Sequence, residues 1–303
     1  MQVDVADLDC VYLSYDEPKK EEFWVQIQNL VPWAVRVDGV EGSDAAHKAA
    51  ADASNTDRFI LIDGDNIPYP EFFDLTLNIK PEFEDCVFRW KAVNEINGLM
   101  YGNGGLSCWT KDFVYNMRTH EASDGTDETA VEFCYDDKYI AMNNVYSTTY
   151  PNGSERHAFR AGFREGVKMC LQKGTRPSLT DFEQMVHERN FDSLSIWHNI
   201  GTDVEHGQFS IWGARLGTYM TMFTEWDYTQ VQQFSKIDAI YDDFKRTGNM
   251  ELIDNTLRQR LGLQIVDYTE EQSRFFKHYY KHTYFPADPM TAEIEVIRRL
   301  EGW

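Results

Sequence analysis

The amino-acid sequence, 303 residues long, predicts an α/β fold. The first observation is Phe59–Ile62, four large apolar residues that stop at Asp63, as is typical of a central strand buried on both faces. The second is the order of the elements predicted up to this point, strand, helix, strand, helix and strand, which favours parallel pairing in one sheet. The third is a mainly helical pattern beyond Gly174, where a soft boundary separates residues 1–173 from residues 174–303.

Local patterns predict the elements that precede this strand. Asp9–Tyr15 is predicted as the first strand, and Ala34–Val37 as a short second strand. Glu21–Val31 is predicted as a helix because its apolar residues recur on one face. A capping signal at Gly42–Asp44 opens a second, alanine-rich helix that runs to about Ala53.

Further along, the patterns predict a strand, a loop and several helices. Cys86–Ala92 is predicted as a strand. Within Leu99–Trp109, Tyr101–Gly105 is too rich in glycine for a regular element and is predicted as a loop that meets a ligand, with a plain hairpin turn as the alternative. Ser154–Gln172 is predicted as a helix with a core-facing apolar residue at every fourth position. The clearer helices beyond it are Thr180–Arg189, Gly213–Phe223 and Tyr228–Arg246.

Composition limits the classes of protein to which the chain can belong. Its net charge is −21, which argues against nonspecific nucleic-acid binding by the chain as a whole, so an anionic partner would need metal ions or a local basic patch. The five cysteines include no Cys-x-x-Cys pair, which predicts free thiols in a reducing compartment. No apolar run approaches the length of a membrane span, so we expect a soluble cytoplasmic protein with no membrane partner.

Asp63 and Asp65 are the main candidates for a functional site. They follow the predicted buried strand, and in open α/β sheets ligands bind at the carboxyl ends of the strands. Gly64 between them allows backbone and ligand to approach closely. Two neighbouring carboxylates repel each other unless a cation joins them, and hard divalent cations prefer oxygen ligands. The alternative is a solvated turn, because Asp-x-Asp alone is a weak motif.

Several features follow one another in a fixed order along Cys10–Gly166. They are the strand end at Ser14, Tyr15 and Asp16, the Asp63-Gly64-Asp65 motif, the glycine-rich Tyr101–Gly105, the acidic pair Asp127 and Glu128, and a lone His157. This order resembles the GT-A class of nucleotide-sugar glycosyltransferases. The motif, the glycine-rich segment and His157–Arg164 are further similar to tailed-phage enzymes that glycosylate hydroxymethylated pyrimidines in viral DNA.

The resemblance implies a Rossmann-type sheet, mixed and mostly parallel, with flanking helices and a mainly helical C-terminal part. Residues 1–173 would bind the metal and the nucleotide sugar, and residues 174–303 the acceptor. Asp63, Asp65 and His157 would hold Mn²⁺ or Mg²⁺ against the leaving diphosphate, and an imidazole ligand favours Mn²⁺. The alternative for His157 is an ordinary histidine at a helix end.

The resemblance also implies roles around the donor sugar, which is expected to be linked to UDP. Either Asp127 or Glu128 would take the proton from the acceptor hydroxyl in an inverting reaction. The alternative for this pair is favourable charge at a helix start, and a retaining reaction stays open. The residues expected to contact the nucleotide sugar are Ser14, Tyr15, Asp16, Asp63, Gly104 and Gly105.

Two local basic stretches are candidates for the acceptor surface. Basic residues recur at every fourth position of Ser154–Gln172, and residues 274–282 mix basic and aromatic side chains without an acid. Positive charge neutralises phosphates and aromatic faces stack bases, although a solvated helix face and a core helix are the alternatives. The predicted DNA contacts are Arg160, Arg164, Lys277 and Lys281.

The sequence leaves three functions open. The first is a metal-dependent transferase that moves a sugar to 5-hydroxymethylcytosine in bacteriophage DNA, in the cytoplasm of the host. The second is the same transferase acting on a glycan, a protein or a small molecule, which the acidic net charge favours. The third is a non-catalytic binding module on the same fold, against which the intact pair Asp63 and Asp65 counts. The oligomeric state is not predicted.

Overall fold

The computed structural model describes residues 1–122, 131–134, 136–180, 182–186 and 188–284. Strands and helices alternate in its first part, and helices dominate its last part, so the predicted α/β class with a helical C-terminal part is confirmed. The strands are β1 Gln2–Asp4, β2 Asp9–Ser14, β3 Val35–Asp38, β4 Arg58–Asp63, β5 Asn66–Pro68, β6 Thr76–Asn78, β7 Val87–Asn94, β8 Met100–Thr110 and β9 Tyr139–Thr149.

Seven of these strands form one mixed sheet in the order β3-β2-β4-β8-β7-β9-β5. β2 is parallel to both β3 and β4, and β7 is parallel to β9. β8 is antiparallel to its neighbours β4 and β7, and β5 is antiparallel to β9. Five strands therefore point one way and two the other, which confirms the prediction of a mixed, mostly parallel sheet.

The helices cover this sheet and build the C-terminal part. In the described residues no helix is both long enough and apolar enough to cross a membrane. The helices are α1 Lys20–Leu30, α2 Ser43–Ala53, α3 Lys111–Asn116, α4 Glu155–Met169, α5 Phe182–Met185, α6 Glu188–Trp197, α7 Gly207–Phe223, α8 Phe234–Thr247, α9 Met250–Leu261 and α10 Glu270–Tyr284.

The loop predicted for Tyr101–Gly105 is wrong, because this segment belongs to β8. Leu106–Trp109 is buried and pairs with β4, and the glycines directly before it belong to the same strand. Gly102 pairs with Lys91 of β7 beyond a shift of register in the ladder. Glycine in a strand often marks such an irregularity, so its abundance here indicates a bulged strand.

The sheet is apolar on both faces, as expected for a central strand with a continuous apolar run. Ile60 and Ile62 of β4 pack with α1 on one face, and Phe59 and Leu61 pack with α2 on the other. Alternate side chains of a strand point to opposite faces, so four successive large residues are needed to fill both cores.

A third core joins α4 to the helices that follow it. Phe159 and Phe163 of α4 pack with Ala214 of α7 and Ile237 of α8. The predicted boundary at residue 173 stays a prediction, but α4 shares its apolar packing with elements on both sides of that position.

Glycines allow α4 and α7 to cross with their backbones in contact. The four glycines are Gly162 and Gly166 on α4, and Gly213 and Gly217 on α7. A Cβ atom at Gly162 would collide with the carbonyl oxygen of Ser210, and one at Gly213 with the backbone of α4. The position of α4 is therefore fixed by main-chain contact, which is stiffer than contact through long side chains.

Candidate functional site

Asp63 and Asp65 lie at the carboxyl end of β4, as the sequence predicts. The hydroxyl of Tyr12 donates to the carbonyl oxygen of Gly64 at 2.8 Å, and the backbone N–H of Tyr150 donates to that of Asp65 at 2.7 Å. These bonds tie the turn to β2 and to the end of β9. The two carboxylates are consequently presented by a turn that is anchored on both sides.

Burial raises the pKa of both carboxyl groups in this turn. Burial raises the pKa of Asp63 well above its usual value, and the charges of Asp65 and Glu17 add to it. Burial also raises the pKa of Asp65, although a hydrogen bond with Thr149 and the charge of Arg164 oppose the rise. These carboxylates therefore gain stability from any bound cation.

Glu17 is a member of this acidic cluster that sequence reasoning missed. Its Oε2 accepts the backbone N–H of Tyr15 at 2.7 Å, and its carboxylate lies directly against Gly64, where a Cβ atom would be 2.5 Å from Oε2. Burial raises its pKa, with the charges of Asp65 and Asp16 contributing. Gly64 thus leaves room for the close approach of a protein carboxylate. The signal in the sequence that could have indicated it was that two acidic residues, Asp16 and Glu17, follow Tyr15.

Helix α4 brings basic side chains to the same place because it starts directly after β9. Ser154 caps the helix by accepting the backbone N–H of His157 at 3.2 Å. Nδ1 of His157 lies 2.8 Å from Oγ of Ser154, and Nε2 lies 3.5 Å from Oδ1 of Asp16. At 3.5 Å that second contact is too long for a well-formed hydrogen bond and is mainly electrostatic. Nε2 is buried and has no hydrogen-bond partner among the described residues.

Arg160 is held inside the protein by two carboxylates. It is 6% exposed, and its guanidinium lies 3.2 Å from Asp16 and 3.1 Å from Asp238 of α8. The contact with His157 and the charge of Arg160 lower the pKa of Asp16 to about 2. Arg160 therefore joins the end of β2 to the C-terminal helices, and its charge is already neutralised there.

Replacing Arg160 with methionine is expected to destabilise the protein by about 1–2 kcal/mol, less than for a fully buried pair because Asp16 is partly exposed. Asp16 stabilises the fold above its usual pKa of about 4 and loses this contribution as the pH falls towards about 2. The variant should therefore lose less stability on acidification than the wild type. Urea unfolding at pH 7 and pH 3 measures both effects.

Arg156→Met is the matched control, because Arg156 on the same helix pairs with the exposed Asp242 at 2.8 Å. Exposed pairs contribute little, so this variant should stay within about 0.5 kcal/mol of wild type. Equal losses in the two variants would contradict the bridging role of Arg160.

The donors around Asp65 fit a divalent cation that other ligands complete. Asp63, Asp65 and Glu17 supply oxygen atoms with raised pKa values, and His157 supplies an unpartnered nitrogen. Asn66 beside them is fully buried, with both amide atoms unpartnered within the described part of the chain. Within that part, no three or more His, Cys, Asp or Glu side chains form a group that could hold a metal by themselves. Mg²⁺ is commonly held by one or two carboxylates together with substrate phosphates, and that mode matches this arrangement.

The other end of the site lies where β2 and β3 end. Ser14 is buried, and its Oγ donates to Asp38 at 2.7 Å and accepts from Arg36 at 3.0 Å. Burial works to raise the pKa of Asp38, but hydrogen bonds from Lys20 and Ser14 outweigh it and the pKa is lowered. Tyr15 is exposed. Sequence reasoning missed Asp38, although an acid directly after the second predicted strand could accept hydrogen bonds from ribose hydroxyls.

The two predicted glycines can be placed in the structure, whereas the candidate base cannot. Leu106 of β8 pairs with Ile62 of β4, so Gly105 comes at the same end of the sheet as Asp63, and Gly104 precedes it in β8. Asp127 and Glu128 lie outside the described residues, and their predicted role stays a prediction.

The predicted acceptor contacts are placed apart from one another. Arg164 lies in α4, where it donates to Oε1 of Gln232 at 3.0 Å, and its charge reaches Asp65. Nζ of Lys277 on α10 pairs with the largely buried Asp203 at 2.8 Å. The side chain of Lys281 lies outside the described residues. Of the four, Arg160 and Lys277 are engaged in internal ion pairs.

The aromatic residues of α10 face in different directions. Phe275 and Tyr279 are exposed, whereas Phe276 stacks on Tyr280, which packs against the helical core. The helix is thus partly core and partly surface, between the two alternatives considered for this segment.

Comparisons with family models, with curated proteins and with solved structures found no match to this chain.

Proposed function

We propose that the chain is a metal-dependent glycosyltransferase of the cytoplasm, which moves a sugar from a nucleotide diphosphate sugar to a hydroxyl acceptor. The observation that carries the proposal is the buried acidic cluster of Asp63, Asp65 and Glu17, together with the charge of His157 that acts on Asp65. This cluster lies at the carboxyl end of β4, where α/β sheets bind ligands. A cation bound there, Mn²⁺ or Mg²⁺, would neutralise the leaving diphosphate.

Different residues of this chain would contact the diphosphate and the nucleotide of the donor. The start of α4 offers backbone N–H groups and a partial positive charge to the diphosphate. Arg164 adds a full positive charge beside Asp65. Ser14, Tyr15 and Asp38 lie towards the ends of β2 and β3, where the nucleotide would extend. Asp16 is held by Arg160 and His157, so we assign it a positioning role in place of direct nucleotide contact.

The acceptor we propose to test first is 5-hydroxymethylcytosine in DNA, with a glycan, protein or small molecule as the second candidate. One observation favours the second candidate, because Arg160 and Lys277 are neutralised by internal carboxylates and cannot also hold phosphates. DNA would then depend on Arg164, on Lys281 and on the metal. A non-catalytic binding module is the third candidate, and it would bind the nucleotide sugar without cleaving it.

The experiment is incubation with a panel of nucleotide sugars and Mn²⁺, with and without hydroxymethylated DNA. Hydrolysis of one donor, dependent on Mn²⁺ and stopped by EDTA, is the expected result. Nucleoside mass spectrometry then reads transfer to DNA. Hydrolysis without DNA transfer selects the second candidate, and binding without hydrolysis selects the third.

Asp127→Asn and Glu128→Gln are expected to differ in their effect on turnover. A lost general base lowers kcat by roughly 10²–10⁴-fold, and donor affinity should be kept because the metal ligands are untouched. The measurement is kcat at saturating donor, and each variant serves as the control for the other. Near-normal rates in both would place the base elsewhere or indicate a retaining reaction, and the anomeric configuration of the product distinguishes these.

A further inference from the structure

The ring of His157 is held from one side by the residue that caps its own helix. Oγ of Ser154 accepts the backbone N–H of His157 at 3.2 Å and lies 2.8 Å from the ring atom Nδ1. One hydroxyl therefore fixes both the first turn of α4 and the rotation of the ring. The other ring nitrogen, Nε2, is left buried and without a hydrogen-bond partner among the described residues.

Nε2 has one carboxylate close to it and a second within reach of the charge of the ring. Oδ1 of Asp16 lies 3.5 Å away, and the charge of His157 also acts on Asp65. Asp16 is held at 3.2 Å by Arg160, so it is not free to close the gap. Nε2 is thus an unpartnered nitrogen on the side of the ring that faces Asp16, within electrostatic reach of Asp65.

From these contacts we infer that Ser154 is a positioning residue, which orients His157 so that Nε2 binds the divalent cation. The inference rests on the proposed function, because it supposes a cation at Asp63 and Asp65. A ligating histidine usually donates its other ring N–H to an oxygen that fixes its orientation. Ser154 provides that oxygen, since Nδ1–H can donate to Oγ while the lone pair of Nε2 stays free.

The test separates this role from helix capping by using a residue that caps but has no hydroxyl. Glycine is nearly as good a cap as serine, so Ser154→Gly removes the contact to Nδ1 and largely keeps the helix start. Ser154→Thr keeps both the cap and the hydroxyl. Asn249→Gly is the matched control, because Asn249 caps α9 by accepting the backbone N–H of Leu252 at 3.1 Å, and it lies outside the site.

The readout is the Kd for Mn²⁺ in the presence of saturating UDP, whose phosphates complete the ligand set, from the EPR signal of free Mn²⁺ during titration of the folded protein against a protein-free UDP blank, with circular dichroism to confirm the fold. Ser154→Gly is expected to raise the Kd by about 10–100-fold, the usual effect of removing a residue that orients a metal ligand. Ser154→Thr and Asn249→Gly should stay near wild type. The double variant Ser154→Gly/His157→Ala should bind no more weakly than His157→Ala, because Ser154 acts only through the ring.

An unchanged Kd in Ser154→Gly, or additive effects in the double variant, would overturn the inference. Failure of the proposed function looks different. If Asp65→Ala loses Mn²⁺ while Ser154→Gly and His157→Ala keep it, the inference falls and the metal site stands. If Asp65→Ala also binds Mn²⁺ as wild type does, or if wild type binds none, both fall.

Discussion

Asp65→Ala is expected to lower the rate of sugar transfer by at least about 10³-fold, because a cation stabilises the charge of the transition state by several kcal/mol. The metal-free variant should keep or gain thermal stability, since it loses a buried carboxylate whose pKa is raised. Mn²⁺ should raise the Tm of wild type and leave that of the variant unchanged. Donor hydrolysis and thermal unfolding, each with and without Mn²⁺, measure the effects.

The raised pKa of Asp63 defines the direction in which the stability of the folded protein changes with pH. A carboxyl group with a raised pKa in the folded protein binds its proton more tightly there than in the unfolded chain. Asp63 therefore favours folding at low pH, and this contribution is lost as the pH rises through its raised pKa. Asp63→Asn should make metal-free stability less dependent on pH above the ordinary pKa of an aspartate, about 4, as urea unfolding across a pH series measures.

Asp7→Ala is the control for Asp65→Ala, because Asp7 is an exposed aspartate ahead of β2, at the opposite end from the site. It should change neither the rate nor the response to Mn²⁺. Full transfer by Asp65→Ala in EDTA would contradict the glycosyltransferase proposal.

Gly162→Ala is expected to destabilise the protein by about 3 kcal/mol or more, at or above the upper end of the usual range for overpacking. The new methyl group would collide with the carbonyl oxygen of Ser210, and main chain cannot turn aside as a side chain can. Gly213→Ala should be comparably harmful, since its Cβ would meet the backbone of α4. The free energy of unfolding in urea measures both.

Gly153→Ala serves as the matched substitution outside the crossing, because its Cβ would lie 3.2 Å from the nearest atom, in the ring of Pro18. A loss of less than about 1 kcal/mol is expected there. If Gly162→Ala unfolds at the same urea concentration as Gly153→Ala, the helices do not cross by backbone contact.

The sequence predicted the fold well where the residues of a single element are enough to indicate how it is buried. Four successive apolar residues before Asp63 are enough to predict a strand buried on both faces, and β4 is such a strand. The glycines of Tyr101–Gly105 led to the wrong prediction of a loop. A glycine-rich composition indicates an irregular backbone, but it does not show which strand that backbone pairs with. That partner, β7, imposes a bulged ladder on β8, and pairing between strands cannot be read from either strand alone.

The candidate site shows the same division. Asp63, Asp65 and His157 could be chosen by residue type and order. In the structure, Asp63 and Asp65 share one turn, and the charge of His157 acts on Asp65. The partners of Arg160 could not be predicted, because Asp16 and Asp238 are far away in the chain and are joined only by folding. The partner of Lys277 was hidden for the same reason, since Asp203 lies in the turn that precedes α7. A basic residue in a sequence carries no sign of whether its charge is already neutralised.

The backbone crossing of α4 and α7 also sets the order in which the molecule can be completed during synthesis. β4 and its two aspartates leave the ribosome well before Gly207–Phe223 does. Until α7 has emerged, the glycine face of α4 lacks the main-chain contact that fixes the crossing of the two helices. A nascent chain that stops short of α7 would carry the acidic turn and α4 without the backbone contact that fixes the position of α4. The candidate site is in this sense completed late, after translation has passed residue 223.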